Sequence, residues 1–202
     1  MWVCCGNRYS AEKVKLRKRL TECGKVSWMK NKLVFLDVET DGLYGSFLTV
    51  ALIATDWEGN ELERAYLGIR REKMHITEPW VEENVLPRLG EYEPVDTEEE
   101  LLRKAWDFWL RYREEAYAVC DVGYPVEARF LKACVELDVK QNAMLAPFPL
   151  VDLSSLILAK GYEPLINREE LVADYESTKQ HNELYDVEVS IEVWKKLMSK
   201  KV

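Results

Sequence analysis

A chain of 202 residues, 48% apolar and 32% charged, has the size and composition of one globular domain with a substantial core. No apolar run reaches the roughly 18 residues that span a bilayer, and the N-terminus shows no signal-peptide h-region, so a cytoplasmic protein without a membrane segment is expected. The five cysteines form no CxxC pair and have no nearby histidine, which argues against a disulfide framework or a zinc site, and the net charge of −8 divides into +7 over residues 1–32 and −15 over the rest.

Residues 10–22 read as a short helix capped by Ser10, with Val14, Leu16 and Leu20 as a thin apolar face. Residues 24–32 read as a linker, giving a basic helical extension over 1–31 and a main domain over 32–202. The extension suits either an anionic partner or a solvated helix that folds back on the acidic body. Residues 33–39, 47–55 and 61–69 are β-rich runs, the last two joined by a Gly/Asn turn, so three consecutive antiparallel strands are predicted. A helix over 78–90 follows, with Pro79 early and Gly90 late. Asp96 and Thr97 start the next helix, and Glu98, Glu99 and Glu100 suit its first turn. Leu101, Leu102, Ala105, Phe108, Trp109 and Tyr112 keep helical spacing along it, and Trp106 and Trp109 read as core or partner surface.

Residues 116–122 form a short buried-type strand, and Pro125 opens a helix carrying Phe130, Leu131, Cys134, Val135 and Leu137. A strand over 149–153 leads into a helix ending at Gly161. The last helix runs from about 183 to 200, lined by Val187, Val189, Ile191, Val193, Trp194 and Leu197. Strands first, then β/α alternation, predict an α/β fold: a mixed sheet of three antiparallel strands followed by parallel ones, with helices on its faces.

Asp37 and Glu39 are two apart on the first long strand, so their carboxylates share a face. Adjacent like charges are costly unless a cation joins them, and hard oxygen ligands suit Mg²⁺ or Mn²⁺. Far along the chain, His181 precedes Asp186 at the start of the last helix, where a negative charge is favoured in any case. The other histidine, His75, has no such company and reads as a surface or strand-edge residue.

Together the two segments are more specific. LVFLDVETDGL resembles the first motif of the DEDDh 3'-5' exonucleases, the family of oligoribonuclease, ribonuclease T and polymerase proofreading subunits. HNELYDVEVS resembles the third motif of that family, with a His five positions before an Asp, and about 145 residues separate the two segments. VDLSSL at 151–156 resembles the strand-to-helix segment between the second and third motifs. The resemblance covers roughly residues 32–200. In the second motif the chain departs from the family pattern: Phe130-Leu131 set the register and put Glu127 where the family has Asp. Asp121, at the preceding strand end, remains an alternative for that acid.

The resemblance implies a ribonuclease H-like fold and a site of Asp37, Glu39, Glu127 and Asp186 holding two Mg²⁺ or Mn²⁺ ions. Asp37, Glu39 and Asp186 would hold one ion, Asp37 would bridge to the second, and Glu127 would support it. His181 would act as general base, with a reference pKa near 6.5 that suits neutral pH. The implied reaction is hydrolysis from the 3' end of single-stranded DNA or RNA, releasing nucleoside 5'-monophosphates. Thr40, Leu43 and Tyr44, with Phe47 nearby, are candidates for contact with the terminal nucleotide. A degenerate domain that binds nucleic acid or a polymerase without cutting is the alternative. Apolar and aromatic residues on the late helices could support a homodimer.

Overall fold

The computed structural model describes residues 30–172 and 182–199, and two short strands, β1 (Arg19–Leu20) and β2 (Val26–Ser27). His181 and most of the helix expected over 10–22 therefore lie outside the described residues. Where that segment is described it is strand, Arg19 pairing with Ser27 and Leu20 with Val26. The thin apolar face offers a helix little to bury, and a short isolated helix is marginal without such packing.

The main sheet belongs to the unit Asn31–Val202. Its strands are β3 (Lys32–Thr40), β4 (Phe47–Asp56), β5 (Glu61–Ile69), β6 (Glu93–Val95), β7 (Ala116–Cys120) and β8 (Leu150–Asp152). They lie in the order β6-β5-β4-β3-β7-β8. β3, β4 and β5 form the predicted antiparallel meander, and β7 and β8 continue it in parallel from β3. β6 pairs in parallel with β5 at the edge and was not legible in sequence. It is three residues long and contains Pro94, which a sheet tolerates at an edge because no ladder donor is needed there.

The helices are α1 (Pro79–Asn84), α2 (Glu98–Tyr112), α3 (Ala128–Glu136), α4 (Val139–Asn142), α5 (Leu153–Ala159) and α6 (Glu183–Ser199). α2 begins where Thr97 Oγ1 accepts from the Glu100 amide at 3.2 Å. α1 is shorter than the expected 78–90 helix. Pro87 lacks an amide donor and restricts the residue before it, so the chain leaves the helix ahead of it. Residues 123–127 form a wide turn, with Tyr124 extended at φ −132° and ψ 138°, so the helix foreseen from Pro125 starts at Ala128.

Alternation along β3 divides the core. Val34, Leu36 and Val38 pack with Leu101, Ala105, Phe108 and Trp109 of α2 and with Phe130 and Cys134 of α3. Leu33 and Phe35 point to the opposite face and pack with Leu153 and Ile157 of α5 and Val187, Trp194 and Leu197 of α6. Phe35 meets Trp194 edge-on with centroids 6.2 Å apart. Fully burying each such side chain contributes about 1.5–3 kcal/mol. Trp106 and Trp109 are both buried, which makes them core.

Candidate active site

The odd-numbered face of β3 carries Asp37 and Glu39 beyond Phe35, towards α6. Pairing with β7 ends at Phe35 opposite Val119, while pairing with β4 continues to Thr40. β3 thus overhangs its parallel neighbour at the point where the sheet changes from antiparallel to parallel. Crevices at the carboxyl ends of strands, at such switch points, are where open α/β sheets bind ligands. The β3–β4 register shifts between Glu39 and Thr40, a local irregularity of the kind that re-aims side chains beside sites.

The first turns of α6 supply the third carboxylate. Carboxylate oxygens of Asp37, Glu39 and Asp186 all lie within 4.8 Å of one another, and all three residues are partly exposed. Burial, followed by the charges of Glu127, Asp186, Glu39 and Glu183, pushes the Asp37 carboxyl well above the usual range. Like charges held this close are costly unless a cation joins them. An all-oxygen donor set without thiols fits Mg²⁺ or Mn²⁺.

Glu127 is buried at the end of the 123–127 turn. Burial, together with the charges of Asp121, Glu39 and Asp152, raises its carboxyl to about 7. It faces the cluster electrostatically without joining the trio of nearest oxygens. Asp121 is differently engaged: Arg168 donates to its Oδ1 from Nη2 at 2.7 Å and from Nε at 3.0 Å.

Two further acids hold the frame. Asp152 Oδ1 accepts from the Ser155 amide and from Ser154 Oγ, both at 2.7 Å, and Oδ2 accepts from the Gly123 amide at 2.7 Å. Burial alone would raise its carboxyl, but these bonds hold it low. The VDLSS segment thereby caps α5 and pins the turn that carries Glu127. Asp41 accepts from Thr77 Oγ1 at 2.6 Å and from the Thr77 and Glu78 amides at 2.9 and 3.0 Å. Burial again acts upward on Asp41, and the hydrogen bonds outweigh it.

Asp41 thus anchors the turn that presents Leu43 and Tyr44, which are 61% and 67% exposed. Thr40 is buried, and its hydroxyl donates to the Gly42 carbonyl at 2.5 Å. From below, Arg129 donates to the Leu43 carbonyl at 2.6 Å and the Gly45 carbonyl at 2.7 Å. Its guanidinium lies 5.8 Å from the Tyr44 ring centroid. Phe47, grouped in sequence with these residues, is instead core, edge-on to Phe130 at 5.1 Å.

Sequence reasoning missed Glu183, which figures there only as the approximate start of the last helix. It is fully buried, and its Oε2 accepts from Tyr66 Oη at 2.6 Å. A glutamate on the sheet-facing stripe of α6, four residues before Val187, was the available signal.

No protein-family model matches the chain, and no curated protein matches it. Solved structures do. An E. coli exonuclease I–single-stranded DNA complex in its zinc-bound form has 14% identity and a TM-score of 0.63, over 85% of this chain and 41% of that one. E. coli exonuclease I with a dA16 oligonucleotide gives 14%, 0.63, 85% and 42%. Exonuclease I from Methylocaldum szegediense gives 15%, 0.62, 85% and 41%. The chain spans about two-fifths of the length of these neighbours. The mixed six-stranded sheet with its flanking helices is therefore the ribonuclease H-like fold, with exonuclease I among its structural neighbours.

Proposed function

We propose that this chain is a metal-dependent 3'-5' exonuclease of the DEDDh type, acting on the 3' ends of single-stranded DNA or RNA. The observation that carries the reading is the convergence of Asp37, Glu39 and Asp186 within 4.8 Å at the switch point of a ribonuclease H-like sheet. Asp37, Glu39 and Asp186 would hold one divalent ion, and Asp37 and Glu127 would serve a second. Two Mg²⁺ or Mn²⁺ ions would neutralise charge on the phosphate and activate water. The His181 imidazole would accept the proton of the attacking water. The phosphorus–O3' bond breaks, leaving a nucleoside 5'-monophosphate and a strand shortened by one residue with a new 3'-hydroxyl. Leu43 and Tyr44, on the turn after the first motif, would contact the terminal base.

Nuclease assays on 5'-labelled single-stranded DNA and RNA, with Mn²⁺, with Mg²⁺ and with chelator, test the reading. The expected result is a ladder shortening from the 3' end, abolished by chelator and by Asp37→Ala. Binding without cleavage would favour a degenerate domain that holds nucleic acid or a polymerase. Glu127 favours that second reading to the extent that its oxygens stay outside the trio. In either reading residues 1–31 would be a basic extension ahead of the domain; the apolar residues that line α6 are buried in the core, so a homodimer would use other surface. Among the described residues, no helix is long and apolar enough to cross a membrane.

A further inference from the structure

Glu183 lies within α6, three residues before Asp186, and is wholly shielded from solvent. Tyr66 holds one of its oxygens: the phenol donates to Oε2 at 2.6 Å and accepts from the Gly90 amide at 3.2 Å. The tyrosine hydroxyl is thus committed on both sides, and the glutamate is fixed from β5. The other oxygen, Oε1, is buried and has no hydrogen-bond partner among the described residues. The acids acting on Glu183 are Glu39 and Asp186, and Asp37 feels Glu183 in turn.

A buried acid with one oxygen unpaired, lying outside the trio of nearest oxygens but within the field of all three, is unfavourable in every protonation state without further help. Ionised, it lacks a counter-charge; protonated, it leaves a polar group unsatisfied. A bound cation reverses the sign of the local field and turns the same placement into an attraction. An apolar residue at this position, packed beside Val187, would avoid the cost altogether. The unpaired oxygen is therefore best explained by a ligand that the acids share.

We propose that Glu183 is a further carboxylate of the cation site, held in place by Tyr66 and adding its charge to that of Asp37, Glu39 and Asp186. Tyr66 is then a positioning residue for the same site. This inference rests on the metal-dependent reading above.

The test is titration calorimetry of the full chain with Mn²⁺ alone, no substrate present, paired with thermal melting with and without Mn²⁺. Glu183→Gln keeps the shape and the capacity to accept from Tyr66 but removes the charge. Removing a group that supports a metal site from beyond its ligands weakens affinity by about 10- to 100-fold, and a loss of at least about tenfold is expected here. The Mn²⁺-induced rise in melting temperature should shrink in parallel, while the metal-free variant melts no lower than the parent. Unchanged Mn²⁺ affinity, with a lower melting temperature, would show a structural role and overturn the inference alone. A parent chain that binds no Mn²⁺ would overturn both the inference and the exonuclease reading. Should Glu183→Gln fail to fold, Tyr66→Phe carries the test: weakened Mn²⁺ binding supports the proposal and unchanged binding sinks it.

Discussion

Arg168 approaches Asp121 side-on, with Nε 3.0 Å and Nη2 2.7 Å from Oδ1, and its Nη1 donates to the Ile166 carbonyl at 2.6 Å. The guanidinium is largely buried, whereas the Asp121 carboxylate keeps about a third of its surface in water, its side chain being 35% exposed against 12% for Arg168. Asp121 thus has a protein counter-charge that ties the β7 end to the segment after α5. Glu127 has no such counter-charge among the described residues, and burial raises its carboxyl. Asp121→Asn is expected to cost about 1–2 kcal/mol in urea denaturation and to leave metal-dependent cleavage within a few-fold of the parent. Glu127→Gln should do the reverse, cutting cleavage strongly while stability holds or rises. Equal losses of activity in both variants would put Asp121 back in the site.

Stability should depend on pH in a way set by the buried acids. Burial raises the Glu127 carboxyl to about 7 and the Glu183 carboxyl to about 8, against roughly 4.3 for an unfolded glutamate. Between these values the folded chain binds more protons than the unfolded chain, so stability falls as pH rises. In chelator, the melting temperature should be highest near about pH 5 and decline until about pH 8, beyond which these two groups add nothing more. Saturating Mn²⁺ should flatten the decline. A melting temperature that climbs from pH 5 to pH 8 in chelator, on the scale of about a degree per pH unit or more, would contradict the burial of both acids.

Tyr44 protrudes from its turn, and the neighbouring Tyr124 raises its phenol. A stacked base contributes about 1–3 kcal/mol by alanine substitution. Tyr44→Ala is therefore expected to raise KM for short oligonucleotides about tenfold, with little change in kcat or melting temperature. Arg129→Lys should act in the same direction, since an ammonium cannot reproduce the fork that spans the Leu43 and Gly45 carbonyls. A kcat loss at constant KM would assign the turn to the chemical step instead of to binding.

His181→Ala separates proton transfer from ion binding. General-base catalysis contributes about 10²–10⁴-fold, so activity should fall by that order. Mn²⁺ affinity, measured by calorimetry, should stay near that of the parent, because none of the three clustered carboxylates is touched. An unchanged rate would remove His181 from the mechanism.

Local pattern was enough for most of the architecture. Phe35, Asp37 and Glu39 alternate with Val34, Leu36 and Val38, so the period of two placed both acids on one face before any partner was known. The meander was legible because each of its long strands is β-rich and the turns carry Gly and Asn. β6 escaped because three residues around Pro94 have no periodicity to read, and only the neighbouring β5 makes them a strand. α1 stops well short of Gly90, the stop signal the local pattern offers, because Pro87 already closes it.

What the sequence by itself determined were the long periodic strands and helices, their order along the chain, and the placing of Asp37 and Glu39 on one face, because these depend on neighbours a few residues away. Tertiary structure alone decided the environments of the acids. Glu183 is buried by a tyrosine 117 positions earlier, and Asp121 is engaged by an arginine 47 positions later. A carboxylate's burial and counter-charge are properties of the groups that folding brings around it, and its own place in the chain does not specify them.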